Sequence, residues 1–261
     1  MRILFIGDIV GSPGRRAIEE LVPKITKREN LDFVIANGEN TAAGSGLTSA
    51  LADQLLSYGI DVITSGDHIW KRKEMVESLG SDRRVLRPAN YPPGAPGFGY
   101  GIFESKSGVN VGVINLVGRV FMQAVECPFR TVKEIVDKIK DKVRIIIVDM
   151  HAEATSEKIA LGYFLDGQVS AVLGTHTHIQ TADEKILSGG TAFISDVGMT
   201  GPFDGVIGRK KEQIIRRFLS QLPTKFEMAE GDIQLHGAII DIDDKTGRAN
   251  SIKRVQEKLG E

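Results

Sequence analysis

The sequence predicts an α/β fold built in layers. Short apolar runs alternate with amphipathic stretches along the chain. The runs are mostly β-branched and do not alternate polar with apolar, as expected of strands covered on both faces. Strands separated by helices stack as sheet against helix. At 261 residues the chain can bury a large core. No repeat, linker or low-complexity tail divides it, so a single domain over 1–261 is expected.

The elements follow in order. Residues 2–6 form the first expected strand. A helix follows, with Ala17, Ile18, Leu21, Val22 and Ile25 on its apolar face. Pro13 suits its first turn, Ser12 is the candidate cap, and Pro23 is a point for a kink. Residues 33–36 form the second strand. The next helix starts near Thr48, aligns Leu51, Leu55 and Leu56, and stops at Gly59. Further strands are expected at 61–64, 109–116, 144–148, 170–173, 191–194 and 238–242. Thr155 and Ser156 open another helix, with Ser156 favoured as its cap over a phosphate contact. Residues 87–101, RPANYPPGAPGFGYG, are dense in Pro and Gly. They form a loop or small insertion, either a plain connector or a rim beside a site.

Composition excludes several classes. Hydrophobic residues at 41% and charged residues at 26% are ordinary for a globular protein and argue against overall disorder. The 33 basic and 34 acidic residues leave a net charge of −1. That excludes a globally basic nucleic-acid coat but not a local basic patch. No apolar run approaches the roughly 18 residues of a membrane span. Cys127 is the sole cysteine, so neither an intrachain disulfide nor a cysteine metal cluster can form. The N-terminus runs straight into Gly7-Asp8, and no signal peptide is expected. A reduced, cytoplasmic, soluble protein is the expectation.

The polar residues fall in a pattern. Five apolar runs end in small polar clusters: Gly7-Asp8, Asn37-Gly38-Glu39-Asn40, Ser65-Gly66-Asp67-His68, Asp149-Met150-His151 and Gly174-Thr175-His176-Thr177-His178. In open α/β sheets ligands bind outside the carboxyl ends of the strands, so the five clusters can converge on one pocket. Four of the five histidines sit in them, and only His236 lies elsewhere. A mixed nitrogen and oxygen donor set suits Fe, Mn, Zn or Co better than Mg or Ca. The supply exceeds the needs of one zinc ion, which points to two metals. Two cations about 4 Å apart can clamp an in-line displacement at phosphorus.

In this order, GD, GEN, GDH, DxH and GTHTH resemble the calcineurin-like metallophosphoesterases, and most closely their bacterial YmdB-like branch. The resemblance also takes in 8–11 (DIVG), 68–70 (HIW), 87–92 (RPANYP), 151–158 (HAEATSEK) and 196–202 (DVGMTGP). It implies a sandwich of two β-sheets flanked by helices, a binuclear centre of divalent or mixed-valence ions, and phosphodiesterase activity on 2′,3′-cyclic nucleotides. RNA and a second copy of the chain are open as partners; no membrane is implied. Carried over by position, Asp8, Glu39, Asn40 and His178 hold the first metal. Glu39, Asp67, His151 and His176 hold the second, with Glu39 bridging. A water activated by the metals is the nucleophile. His68 is the general acid, a role suited to a side chain that titrates near neutrality.

Two departures stand out. Asp8 is followed by Ile9-Val10 rather than the usual D-x-H, and the branch shares that loss; Asn40 or water fills the position. Asp67 stands where the family usually has asparagine. The ligands then carry three negative charges rather than two, against the four positive charges of two divalent cations. The expectation is tighter metal binding with weaker Lewis acidity.

Other features have plainer readings. Gly7, Gly11 and Gly14 match neither the dinucleotide nor the Walker pattern and suggest a tight turn beneath the metal site. Trp70 is read as core rather than a base-stacking platform. Lys71-Arg72-Lys73, Arg83-Arg84, Arg209-Lys210-Lys211 and Arg216-Arg217 are read as solvated faces that leave room for an RNA groove. Asp149 is a candidate to orient a ligand histidine. Two kinds of alternative remain: an endoribonuclease or phosphomonoesterase using the same site, or a regulatory nucleotide- or RNA-binding protein with little turnover.

Overall fold

The computed structural model describes residues 1–260. The first sheet collects β1 (Arg2–Ile6), β2 (Asp8–Ile9), β3 (Phe33–Asn37) and β4 (Val62–Thr64) from the N-terminal part. Between them lie α1 (Gly11–Glu29) and α2 (Ser49–Ser57), and α3 (Lys73–Ser78) follows β4. The second sheet takes β5 (Tyr100–Glu104), β6 (Asn110–Val117), β7 (Ile145–His151), β8 (Ala171–Thr175), β9 (Lys185–Ile186) and β10 (Ala192–Ile194), with α4 (Pro128–Ile139) and α5 (Thr155–Leu165) between. The chain then returns to the first sheet through β11 (Met199–Pro202), α6 (Lys211–Ser220), β12 (Ile233–Ile242) and β13 (Ala249–Lys258).

The strand order is β2-β11-β12-β1-β3-β4 in the first sheet, with β13 also on β12, and β5-β6-β7-β8-β10-β9 in the second. The sheets pack face to face, which is the α/β sandwich the resemblance implied. The pleat sorts the side chains. Ile3 and Phe5 of β1 join Ile35, Val113, Ile147 and Leu173 in the core between the sheets. Leu4 and Ile6 point the other way, onto Ile18, Val22 and Leu55 of α1 and α2. On the outer face of the second sheet, Ile114, Val148 and Val172 pack on Val136 of α4 and Leu161 of α5. Strands buried on both faces are why the runs showed no polar alternation. No helix is long and apolar enough to cross a membrane among the described residues.

The expected elements are present, with local corrections. Thr48 does cap α2, its hydroxyl accepting from the Leu51 amide at 3.2 Å. Ser12 does not cap α1: the helix begins at Gly11, with Val10 in the capping position. Pro23 sits inside the same continuous helix. Ser156 and Thr155 are not caps either, since Ala154 precedes the first turn of α5 and no side chain caps it. The strand expected at 238–242 is twice as long, and β13 was not expected at all. β13 is largely exposed, so its polar sequence carries no apolar run.

Residues 87–101 end inside β5, and their loop is a brace. The Asn90 side chain donates to the Val117 and Glu126 carbonyls and accepts from the Val117 amide. Tyr91 meets half-buried Trp70 edge-on, with centroids 5.1 Å apart, so Trp70 is a packing residue as read from the sequence.

Candidate metal centre and its cleft

All five polar clusters meet at one end of the sandwich. The ends of β1, β3 and β4 lead into Asp8, Glu39-Asn40 and Asp67-His68 on the first sheet; β7 and β8 deliver His151, His176 and His178 from the second. One ligand atom each from Glu39, Asp67, His151 and His176 lies within 4.8 Å of the others. His151 Nε2 is 3.1 Å from Glu39 Oε1 and 3.4 Å from Asp67 Oδ1, and His176 Nδ1 lies 3.0 Å from His151 Nε2. Beside this group, His178 Nε2 is 3.9 Å from Asp8 Oδ1 and 3.2 Å from Asn40 Nδ2. The structure therefore brings together all eight residues singled out from the sequence.

Close backbone packing makes the convergence geometrically feasible. Gly66 lies against the His151 ring, where an added Cβ would sit 2.1 Å from Cδ2. Gly7 abuts the Gly198 carbonyl, which an added Cβ would meet at 2.0 Å. These contacts set the tight turn anticipated at Gly7. His176 and His178 both have positive φ, at 103° and 66°, a region costly for a side chain with Cβ. Asp196 holds that turn: its Oδ2 accepts from the Thr177 amide at 3.0 Å, the Thr177 hydroxyl at 2.7 Å and Lys158 Nζ at 2.7 Å. Lys158 and Asp196 are both 1% exposed.

His151 is oriented indirectly. Its Nδ1 meets the Thr175 hydroxyl at 2.9 Å, and that hydroxyl donates to Asp149 Oδ1 at 2.7 Å. Asp149 Oδ2 accepts from Thr64 Oγ1 and from Asn37 Nδ2. Asp149 thus reaches His151, a candidate ligand, through Thr175, a more remote position than its place two residues before His151 suggested. Glu153 was missed: its Oε2 lies 3.1 Å from His176 Nε2. Its place in the HAEATSEK fragment gave no sign of that role.

Donor chemistry and electrostatics fit a cation. Asp8 Oδ1 and Asp67 Oδ1 are buried with no hydrogen-bond partner, as expected of oxygens facing a metal position. Burial pushes the Asp8 carboxyl up to about 7, against the attraction of His151. Burial likewise pushes Asp149 to about 6. For His151 burial works against charge, yet the nearby Glu39 and Asp67 carboxylates outweigh it and raise the imidazole well above its ordinary value. Burial and the neighbouring His151 lower His176 to about 4, and burial lowers His178. Without a metal, the His151 imidazolium is the positive charge that keeps Glu39 and Asp67 together.

A pH dependence follows for metal-free protein. The His176 and His178 contributions make stability rise with pH only up to their unfolded value of 6.5. Above it, the raised His151 and Asp8 leave only contributions that fall as pH rises. The net effect is a stability that falls as pH rises above 6.5. Calorimetric melting of chelated protein should show a melting temperature that falls as pH rises above 6.5, and Mn²⁺ should abolish that fall. A flat metal-free profile would contradict the assignment of His151 as the substitute cation.

The centre opens into a cleft of about 430 Å³. Glu39, Asn40, His68, Glu153, His176 and His178 line it together with Val10, Ile207, Arg209, Ile214 and Phe226. No residue of 87–101 is among those lining this cleft. The His68 ring is about one-third exposed, and its Nδ1 donates to Asn40 Oδ1 at 2.7 Å. Several basic residues read from the sequence as solvated are neutralised locally: Lys210 by Glu227, Lys211 by Asp204, Arg84 by Asp82. Arg209 departs from that reading, because it lines the cleft.

Residues 4–255 match the family described as YmdB-like protein. The chain belongs to the YmdB-like family. A relative from Bacillus subtilis (strain 168) named 2′,3′-cyclic-nucleotide 2′-phosphodiesterase is 49% identical over 255 residues, covering 98% of this chain and 96% of the relative. Among solved structures, a hypothetical protein from Thermus thermophilus superposes with a TM-score of 0.92 at 40% identity, over the full length of both chains. A structure described as a novel phosphatase from Mycoplasma pneumoniae gives 0.92 at 33% identity, covering 99% of this chain and 93% of that one. The family places the sandwich and the polar clusters in a phosphoesterase setting, in line with the resemblance read from the motifs.

Proposed function

We propose that this YmdB-like protein hydrolyses 2′,3′-cyclic nucleotides at a binuclear metal centre, with His68 as general acid. The chain is a phosphoric diester hydrolase; its curated relatives are named phosphodiesterase or phosphatase. The observation that carries the finer reading is the cluster of carboxylates and imidazoles, two of its four members fully buried, that meets an open cleft through Glu39 and His176, with two carboxylate oxygens nearby left without partners.

Asp8, Glu39, Asn40 and His178 would hold one ion. Glu39, Asp67, His151 and His176 would hold the other, with Glu39 shared. Bound there, divalent ions supply Lewis acidity and activate a water near neutral pH. Iron or manganese suits these donors best, with zinc or cobalt as alternatives. Asn40 turns its Nδ2 toward Glu39 and His178 and its Oδ1 toward His68; ligation through oxygen requires a half-turn of the amide, after which Nδ2 would face His68 Nδ1 and donate to it.

The chain's own residues do the rest. His68 has its backbone amide tied to Glu39 Oε2 at 3.0 Å and its ring tied to Asn40, which fixes the imidazole at the cleft surface. From there Nε2 protonates the leaving ribose oxygen. Thr175 and Asn37 keep His151 and Glu39 in register, through Nδ1 of the first and the backbone amide of the second.

The deciding experiment is hydrolysis of 2′,3′-cyclic AMP by chelated protein before and after addition of Mn²⁺. Turnover absent after chelation and restored by Mn²⁺ is the expected result. Failure of the Mn²⁺-loaded protein to hydrolyse it, alongside turnover of a phosphomonoester, would move the reading to a monoesterase.

The Asp67 departure gives a second expectation. Asp67→Asn removes one of three ligand charges. Metal affinity should fall about tenfold, within the range seen when supporting contacts of metal sites are lost. The pH–rate profile should shift toward acid, because less charge is donated to the cations. An unchanged affinity together with an unchanged profile would mean the carboxylate is a neutral variant.

A further inference from the structure

We propose that residues 207–226 build a nucleoside-phosphate subsite into the cleft, with Phe226 and Ile214 receiving the base and Arg209 the phosphate charge. This rests on the phosphodiesterase reading and specifies what the site recognises.

The cleft joins two chemistries. One part is the cluster of carboxylates and imidazoles. The other is formed by Ile207, Arg209, Ile214 and Phe226, all from the single excursion between β11 and β12. Hydrolysis of a bare phosphate diester has no use for an aromatic ring there. A substrate with a flat π-face does, since bases stack on aromatic side chains whatever their identity. Phe226 is 38% exposed and Ile207 46%, so apolar surface stands open to water beside a polar centre. The cleft volume of about 430 Å³ lies within the range of small-molecule sites.

Arg209 is the only lysine or arginine lining the cleft among the described residues. It is also without a carboxylate partner there: its guanidinium donates to the Ala43 carbonyl at 3.3 Å and the Gly44 carbonyl at 2.6 Å. Neutral acceptors fix its position and leave its charge uncompensated. A planar cation so held is suited to a phosphate oxygen. The excursion is itself anchored. Gly208 O accepts from the Ala229 amide at 3.0 Å, Glu227 O accepts from the Lys210 amide at 3.0 Å, and Lys211 pairs with Asp204 at 2.6 Å. The ring and the guanidinium are therefore presented on an ordered frame, which limits the ordering cost of binding.

The test measures binding as well as turnover. Calorimetry with adenosine 3′-monophosphate and with adenosine would compare the Mn²⁺-loaded wild type with Phe226→Ala, Phe226→Trp, Arg209→Gln and Arg209→Lys. Phe226→Ala should weaken both ligands about ten- to a hundredfold. Phe226→Trp should restore both. Arg209→Gln should reduce the advantage of the phosphorylated ligand over adenosine, and Arg209→Lys should recover part of it. In kinetics, the preference for 2′,3′-cyclic AMP over the base-free methyl riboside 2′,3′-cyclic phosphate should collapse in Phe226→Ala. Equal losses on both substrates would show a structural role and overturn the proposal, as would wild-type binding by both Phe226→Ala and Arg209→Gln. If Phe226 governs adenosine binding while the wild type turns over neither cyclic phosphate, the subsite stands and the phosphodiesterase reading falls.

Discussion

His68→Ala is expected to lower kcat for 2′,3′-cyclic AMP by about 10²–10⁴, the usual contribution of a positioned general acid. The reason is specific to the leaving group. A ribose oxygen departs as a strongly basic alkoxide unless a proton arrives with it. The His68 ring is held at the cleft surface by Asn40, while the tie to Glu39 uses the backbone amide and survives the substitution. Metal affinity should therefore change far less than kcat. A p-nitrophenyl diester has a leaving group that needs no proton, so the deficit on that substrate should shrink to a small factor. Equal deficits on both esters would remove the acid role and leave His68 as a support for Asn40.

Lys158→Met is expected to cost about 3–5 kcal/mol, the loss that follows when one partner of a buried ion pair is removed. Asp196 would keep a buried charge facing only the amides and hydroxyl around it. The melting temperature should fall by about 10 °C at this chain length. The same carboxylate oxygen holds Thr177, so the positive-φ turn that presents His176 and His178 should loosen. Affinity for Mn²⁺ should drop with it, although Lys158 is not among the candidate ligands. Adding Asp196→Asn should recover part of the stability and little of the metal affinity, because the amide keeps only part of the acceptor capacity. Urea unfolding and calorimetric titration would read the two effects separately. A single variant within about 1 kcal/mol of wild type would show that Lys158 is dispensable to the turn.

The site was legible in the sequence to the extent that it lies at strand ends. Runs such as 33–36 and 170–173 announced strands buried on both faces, and the polar residue after each run marked the edge where they converge. What escaped was whatever depends on partners distant in the chain. β13 is an exposed strand whose register against β12 is set by neighbours its own sequence does not name. Glu153 and Thr175 acquire their roles from His176 and His151 across loops. Arg209 sits in a basic triplet whose other two members are paired on the surface. Only folding separates the first from its neighbours. The caps of α1 and α5 failed for a local reason: the chain enters both helices directly from the turns that carry Asp8 and His151, and the expected serines are drawn into the first turn.

The order of the strands also has a consequence for how the protein is made. β1 is flanked by β3 on one side and by β12, almost at the end of the chain, on the other. The candidate ligands are divided between residues 8–67 and residues 151–178, one group on each sheet. A nascent chain emerging from the ribosome presents the first group long before the second, and lacks the strand that closes the first sheet until about 240 residues have been joined. The candidate ligand cluster is thus completed only late in synthesis, after both groups and β12 are in place. Truncated products of interrupted synthesis, which carry Asp8, Glu39, Asn40 and Asp67, would lack the histidine half of the proposed centre.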